Sequence, residues 1–243
     1  MSKLLKPFAP QLEKLERRLF LKRSLSLGAL TMLSGCTLRD EDSVDRLLLA
    51  MSRFNDRAQA ALFDPARLAP TFAESEITTP FPFNAYYEEP LAPTVDAAGW
   101  RLELSGRIDD KRPWRIEDLQ ALPQAEQITR FVCVEGWSAI GRWRGTPFAG
   151  FLRRIGADLS ARYVGFHCAD RYSSSIDMAS ALHPQTLLVT DFPGGSKYGA
   201  PLRLRIPTKL GFKNPKFITE IFVSDDNPGG YWEDKGYNWF SGS

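Results

Sequence analysis

Between Asp64 and Gly99 the sequence places six prolines (Pro65, Pro70, Pro80, Pro82, Pro90 and Pro93) and no sustained apolar period. Each proline fixes its own φ, lacks an N–H donor and pushes the preceding residue away from helical backbone. The stretch therefore predicts a long ordered loop, and regular structure has to be built on either side of it. Upstream, Leu47, Leu48, Met51, Phe54, Ala58, Ala61 and Leu62 recur at helical spacing, which predicts one amphipathic helix from Ser43 to Leu62 with Ser43 as its N-cap.

Downstream the pattern turns to short strands. Trp100 to Gly106 alternates, Asp109 to Pro113 reads as a turn, and Arg115 to Leu122 as a short helix. Gln127 to Val134 reads as a buried strand that enters a polar, Gly- and Trp-rich loop from Glu135 to Gly145. A helix over Pro147 to Ile155 follows, then a strand (Tyr163 to Cys168), a helix (Met178 to Leu182) and a strand (Thr186 to Thr190). Strands at Leu202 to Ile206 and Phe217 to Val223 come before an aromatic tail. This order predicts an α+β fold: one mixed domain over residues 80–243, with a helix and loop over residues 37–79 wrapped on it.

The first 36 residues have a different character. They hold seven Lys and Arg against two Asp and Glu, or +5; with a formal net charge of +2, the remainder carries −3. Glu16-Arg17-Arg18-Leu-Phe20-Leu-Lys22 precedes a short apolar stretch, Ser24 to Gly35, which has the form of a twin-arginine export signal. That route carries folded proteins, so the expectation is a periplasmic protein that was loaded with any cofactor before export. Leu33-Ser-Gly-Cys36 resembles a lipobox, so Cys36 is a candidate lipid anchor.

Several chemistries are excluded. Two histidines, His167 and His183, are too few for a multi-His zinc site. No G-x-G-x-x-G or Walker pattern supports a nucleotide cofactor. The absence of C-x-x-C-H and of any cysteine cluster removes covalent haem and cysteine-ligated iron–sulfur centres. Gly136-Trp-Ser138-Ala-Ile-Gly141 misses the nucleophile elbow by one residue. The charge balance demands no nucleic-acid partner.

Two constellations remain. The first is Arg130-Phe-Val-Cys133-Val-Glu-Gly-Trp137-Ser, with a cysteine at the end of a strand, where its sulfur can reach a site. Cys133 reads as a nucleophile, as one half of a disulfide with Cys168, or as a thiolate ligand to a soft metal. The second runs from Tyr198-Gly-Ala-Pro-Leu-Arg203 to Lys209-Leu-Gly-Phe-Lys213-Asn-Pro-Lys216. On its own it reads as a short strand with outward arginines and a basic loop. Arginine in that setting is either a solvated face or a bidentate phosphate holder.

Taken together, the segments resemble the sulfite oxidase superfamily of molybdopterin enzymes. Its exported branch of protein-methionine-sulfoxide reductase catalytic subunits is the nearer likeness. Phe83-Asn84-Ala-Tyr-Tyr87-Glu88 belongs to the resemblance, which covers about Pro80 to Val223. It implies molybdenum–molybdopterin as cofactor and Cys133 as metal ligand and catalytic residue. It also implies cofactor contacts from Asn84, Tyr87 and Glu88, from Arg203 to the pterin phosphate, and from Asn214, Pro215 and Lys216. The chain departs from the branch at Cys168, where a threonine is expected, and at Tyr198, where an asparagine is. Both are expected close to the cofactor.

The expected reaction is oxygen-atom transfer. Sulfite-oxidising members carry an arginine shortly after the metal cysteine, whereas here Val134, Glu135, Gly136 and Trp137 follow it. A carboxylate at the mouth disfavours a dianion and tolerates a neutral sulfoxide or similar S- or N-oxide, small or protein-bound. Arg142, Arg144 and Arg171 are the residues able to reverse this by folding into the pocket. With one redox centre, the chain needs an electron partner, expected to be a membrane haem protein or a periplasmic cytochrome.

Overall fold

The computed structural model describes residues 41–242. Arg17, Arg18 and Cys36 lie outside them. The chain divides into two compact units between Met51 and Ser52.

Helix α1 spans Glu41–Leu62, so Ser43 lies inside it rather than at its cap. Its apolar stripe is turned to water: Phe54 is 67% exposed and Leu62 84%. Polar side chains attach the second half of the helix instead. Asp56 Oδ1 accepts from the Phe240 N–H at 2.7 Å, and Gln59 Oε1 from the Gly242 N–H at 3.2 Å. The proline-rich stretch is the expected loop, broken by 3-10 turns at Glu74–Glu76 and Glu89–Leu91.

Among the described residues, eight strands form two four-stranded sheets. The first has the order β1 (Glu103–Gly106), β8 (Ile218–Ser224), β4 (Tyr163–Cys168), β5 (Ser173–Asp177). Its β1–β8 pair is parallel and its other pairs are antiparallel. The second has the order β2 (Ala125–Val132), β3 (Ser138–Pro147), β6 (Leu187–Asp191), β7 (Arg203–Arg205), antiparallel throughout. Short helices α2 (Ile116–Gln120), α3 (Phe148–Arg154) and α4 (Met178–Ala181) connect them, which gives the expected α+β architecture.

Two strands were not legible. The segment read as a loop from Glu135 is the ten-residue strand β3. Its inward positions include Gly141 and Gly145, and glycine carries no apolar signal. Gly145 is needed there: a Cβ would stand 2.0 Å from the Leu188 carbonyl oxygen across the sheet. The other is β5, whose Ser173-Ser174-Ser175 run carries no apolar alternation. Its buried hydroxyls bond instead to Glu233 Oε1 and the Gly229 carbonyl.

The main core joins Val164, Phe166, Ile218 and Ile221 of the first sheet to Phe148, Phe151 and Leu152 of α3. A smaller cluster of Phe81, Phe131, Trp143, Leu187 and Val189 sits on the second sheet, with Cys133 among its members. The wall of this second core is where the site is built.

Candidate functional site

Cys133 heads the β2–β3 hairpin turn. Its N–H donates to the Trp137 carbonyl at 2.9 Å, and the Gly136 N–H donates back to its own carbonyl at 3.2 Å. The turn holds Sγ against two polar groups: Asn84 Nδ2 donates to it at 3.6 Å, and the thiol donates to Glu135 Oε2 at the same distance. Burial pushes the thiol above its ordinary range, and the Glu135 carboxylate pushes the same way. Cys133 and Cys168 are both free thiols, so the disulfide reading is not what the structure shows.

Beside this sulfur lies a cavity of about 120 Å³. Five segments distant in sequence meet there. Asn84 and Tyr86 come from the proline-rich loop, Cys133 and Glu135 from the hairpin, Asp170 and Tyr172 from the β4–β5 turn, and Gly211, Phe212, Asn214, Pro215 and Lys216 from the basic loop. Trp232 and Tyr237 of the aromatic tail close it. Of the residues predicted from sequence, Asn84, Cys133, Asn214, Pro215 and Lys216 converge on this space.

The others surround it or face away. Tyr87 is half-buried and donates to Asp170 Oδ2 at 2.7 Å, and burial beside that carboxylate raises its phenol well above the usual range. Cys168 is buried in the main core at the end of β4. Burial holds it as a thiol. Glu88 is exposed at the start of a 3-10 turn and does not line the cavity. The Asn214 side chain is spent on structure: Oδ1 accepts from the Ile206 N–H and Arg205, and Nδ2 donates to the Leu210 carbonyl.

Arg203 and Lys216 are paired across a single antiparallel bridge. Gly199 permits it, since a Cβ there would come 2.8 Å from Lys216 and 3.2 Å from Arg203, at a φ of 134°. Arg203 Nη1 donates to the Tyr198 carbonyl at 2.6 Å, while its buried Nε has no partner among the described residues. Arg203 is only 2% exposed; its guanidinium lies 5.0 Å over the Trp143 ring and is pushed down to about 9 by burial. Lys216 donates to the Asn84 carbonyl and sits 4.4 Å over Phe83. Burial, then the positive charge of Arg203, pushes it down to about 7.

The sequence reading had these arginines outward. Arg203 and Arg205 instead share one buried face, each packed against the Trp143 ring at 5.0 and 4.9 Å. Arg205 is satisfied by Thr129, Asn214 and the Arg130 carbonyl at 2.5 Å. Among the described residues no carboxylate pairs with Arg203, Arg205 or Lys216, in contrast to buried Lys209 and Lys213, which face Asp177 and Glu233. Three desolvated cations without a counter-ion are costly unless an anionic group completes them.

Sequence reasoning missed Asp170, Arg205 and the Lys213–Glu233 pair. The i, i+2 spacing of Arg203 and Arg205 was the available signal, because residues two apart in a strand share a face. Nothing local marks Asp170 or Glu233, which matter only through long-range contacts.

A protein-family model described as "Oxidoreductase molybdopterin binding domain" matches residues 89–232. The chain is 59% identical over 230 residues to a protein of Azospira oryzae whose name proposes a protein-methionine-sulfoxide reductase subunit, YedZ1; the match covers 93% of this chain and 88% of that one. It is 34% identical to the protein-methionine-sulfoxide reductase catalytic subunit MsrP of Ralstonia nicotianae, over 72% of this chain and 64% of the relative. In fold it is similar to the sulfane dehydrogenase SoxCD from Paracoccus pantotrophus, with TM-score 0.51 and 17% identity over 56% of this chain and 40% of that one.

Proposed function

We propose, from the premise that this chain belongs to the oxidoreductase molybdopterin binding domain family, that it reduces a neutral sulfoxide or a similar S- or N-oxide. The chain is a molybdopterin-dependent oxidoreductase of the sulfite oxidase superfamily, it performs oxygen-atom transfer, and its cofactor is molybdenum–molybdopterin. Relatives named as protein-methionine-sulfoxide reductases support methionine sulfoxide as the first substrate to test.

The residues present fit that cofactor. Among the described residues no three His, Cys, Asp or Glu groups converge, so a single soft donor, Cys133, would ligate the metal. The unpartnered Nε of Arg203 would meet the pterin phosphate, with Lys216 and Arg205 adding to the field. Asn84, Tyr87 and the Asn214–Pro215 backbone would border it. When bound, the group would supply exchangeable oxygen positions on a metal whose oxidation state changes by two units and can do so in single-electron steps.

The chain's own groups orient and protonate. Asn84 Nδ2 supports negative charge on the sulfur of Cys133. Reducing an oxide consumes two protons and releases water, and the Glu135 and Asp170 carboxylates stand on the wall where they would relay those protons from solvent. Tyr86, Tyr172 and Trp232 give that wall apolar surface for a thioether-like substrate.

The observation that carries the reading is the charge of the cavity wall. Among the described residues its charged side chains are Glu135, Asp170 and Lys216, and no arginine lines it. Arg142 is engaged with Glu74 and Glu126, while Arg144 and Arg171 are exposed. A sulfite dianion would meet two carboxylates against one lysine whose charge burial weakens. Turnover of methyl sulfoxides with reduced viologen should be much faster than sulfite oxidation with an artificial acceptor. A sulfite kcat/KM in the ordinary range of about 10⁴–10⁸ M⁻¹s⁻¹, with no oxide reduced, would overturn the proposal.

Electrons would come from a membrane haem protein or a small periplasmic cytochrome. The twin-arginine motif supports action in the periplasm, and Cys36 a lipid tether there.

A further inference from the structure

A second hollow, of about 690 Å³, opens between the end of helix α1, the start of the proline-rich loop and strand β2. It shares no lining residue with the cavity beside Cys133. The two nevertheless touch through the backbone: Val132 lines the groove, and Cys133, the next residue, lines the cavity. Consecutive α-carbons are about 3.8 Å apart, so one peptide unit separates the groove from the proposed metal ligand.

The groove wall is apolar at Leu62, Phe63 and Leu68, and among the described residues it carries Arg67 and Arg130 against a single acid, Asp64. Leu62 and Leu68 are exposed, at 84% and 58%. Arg130 lies 4.9 Å over the Phe72 ring, which holds its charge in a fixed place. Exposed apolar side chains flanked by arginine and aromatic groups are the composition of a protein-recognition patch. Beyond residue 36 the chain is net negative, so a positive patch here selects an acidic partner and steers its approach.

We propose that this groove is the docking surface for a one-electron carrier protein that presents an acidic patch, and that electrons enter through the end of β2 at Cys133. The inference rests on the oxide-reducing reading above. That reaction breaks the S=O bond and takes up two electrons and two protons, to give a thioether and water. Two carrier molecules in succession supply the electrons, and the protons come from solvent. Separate openings let carrier and substrate be bound together.

Flavodoxin, an acidic flavin protein, serves as the probe carrier, and reduced methyl viologen as a small donor that needs no docking surface. Oxidised flavodoxin should bind the holoenzyme in a fluorescence titration, more weakly at high salt. The Arg67→Glu/Arg130→Glu double variant should weaken that binding by at least about tenfold. Turnover driven by reduced flavodoxin should fall by a similar factor, while viologen-driven turnover stays within about twofold of wild type. Leu68→Asp, a separate surface change, should act in the same direction.

Salt-insensitive or absent flavodoxin binding by the wild type would overturn the proposal. So would equal losses with both donors, or a wild-type dimer that the double variant dissolves, which would place a second copy in the groove. Absence of viologen-driven oxide reduction in the wild type would instead defeat the oxide-reducing reading, and the binding titration would still decide the docking surface.

Discussion

Lys213 Nζ donates to Glu233 Oε1 across 2.5 Å, with the two side chains only 1% and 3% exposed. The pair joins the turn that carries the cavity loop, Gly211–Lys213, to the tail that contributes Trp232 and Tyr237 to the same cavity. Ser174 Oγ donates to the same carboxylate oxygen. One ion pair, with Ser174 of β5, thus ties the β7–β8 connection to the closing wall of the site.

Removing one partner leaves the other charge buried and alone. Glu233→Ala should cost about 3–5 kcal/mol in urea unfolding of the purified protein. A Lys213→Met/Glu233→Leu double change should cost clearly less, because no orphan charge remains. A single-variant loss below about 1 kcal/mol would contradict the buried-pair account.

Lys209 predicts a pH dependence. It is buried, donates to the Phe240 carbonyl at 2.8 Å and faces Asp177 at 3.4 Å; burial pushes its ammonium down to about 7 from an ordinary 10.5. Between those two values the unfolded chain binds a proton that the folded chain does not. Unfolding free energy should therefore rise with pH from about 7 toward 10.5, by up to about 1.4 kcal/mol per unit. Lys209→Met should flatten that slope relative to wild type, with the contribution from Lys216 common to both. Parallel slopes would show that Lys209 stays protonated.

Arg203 predicts cofactor retention. Arg203→Ala should lower the molybdenum and pterin content of purified protein several-fold, and Arg203→Lys should restore little of it. A lysine keeps the charge but lacks the second N–H of the fork. Full cofactor occupancy in both variants would remove Arg203 from the phosphate site.

The leader gives a prediction independent of the site. Replacing Arg17 and Arg18 with lysines keeps the charge but spoils a motif read by a receptor, so the protein should stay in the cytoplasm on cell fractionation. Normal recovery of the double variant from the periplasm would refute export by this route.

The legible parts of this molecule were those in which side-chain pattern and backbone path coincide. Tyr163 to Cys168 alternates apolar residues and is strand β4 as read. The proline-rich stretch is the loop that its chemistry demands. Cys133 was readable as the end of a strand, because Phe131 and Val132 announce β2. Strand β3 was not readable, since Gly145 serves its neighbour Leu188 rather than its own propensity. Arg203 and Arg205 look like surface residues in any single-strand reading. Their burial rests on packing against Trp143, sixty residues away, which no local pattern announces. Helix α1 shows the opposite failure, with an apolar stripe that faces water and an attachment made by Asp56 and Gln59.

The central claim is that Cys133 is the protein ligand of the metal, and X-ray absorption at the molybdenum edge tests it most directly. The account predicts three sulfur neighbours in the wild-type holoenzyme, two from the pterin and one from Cys133. It predicts two in Cys133→Ser, with pterin still bound and oxide reduction down by more than about 100-fold. Three sulfur neighbours in both proteins would contradict it.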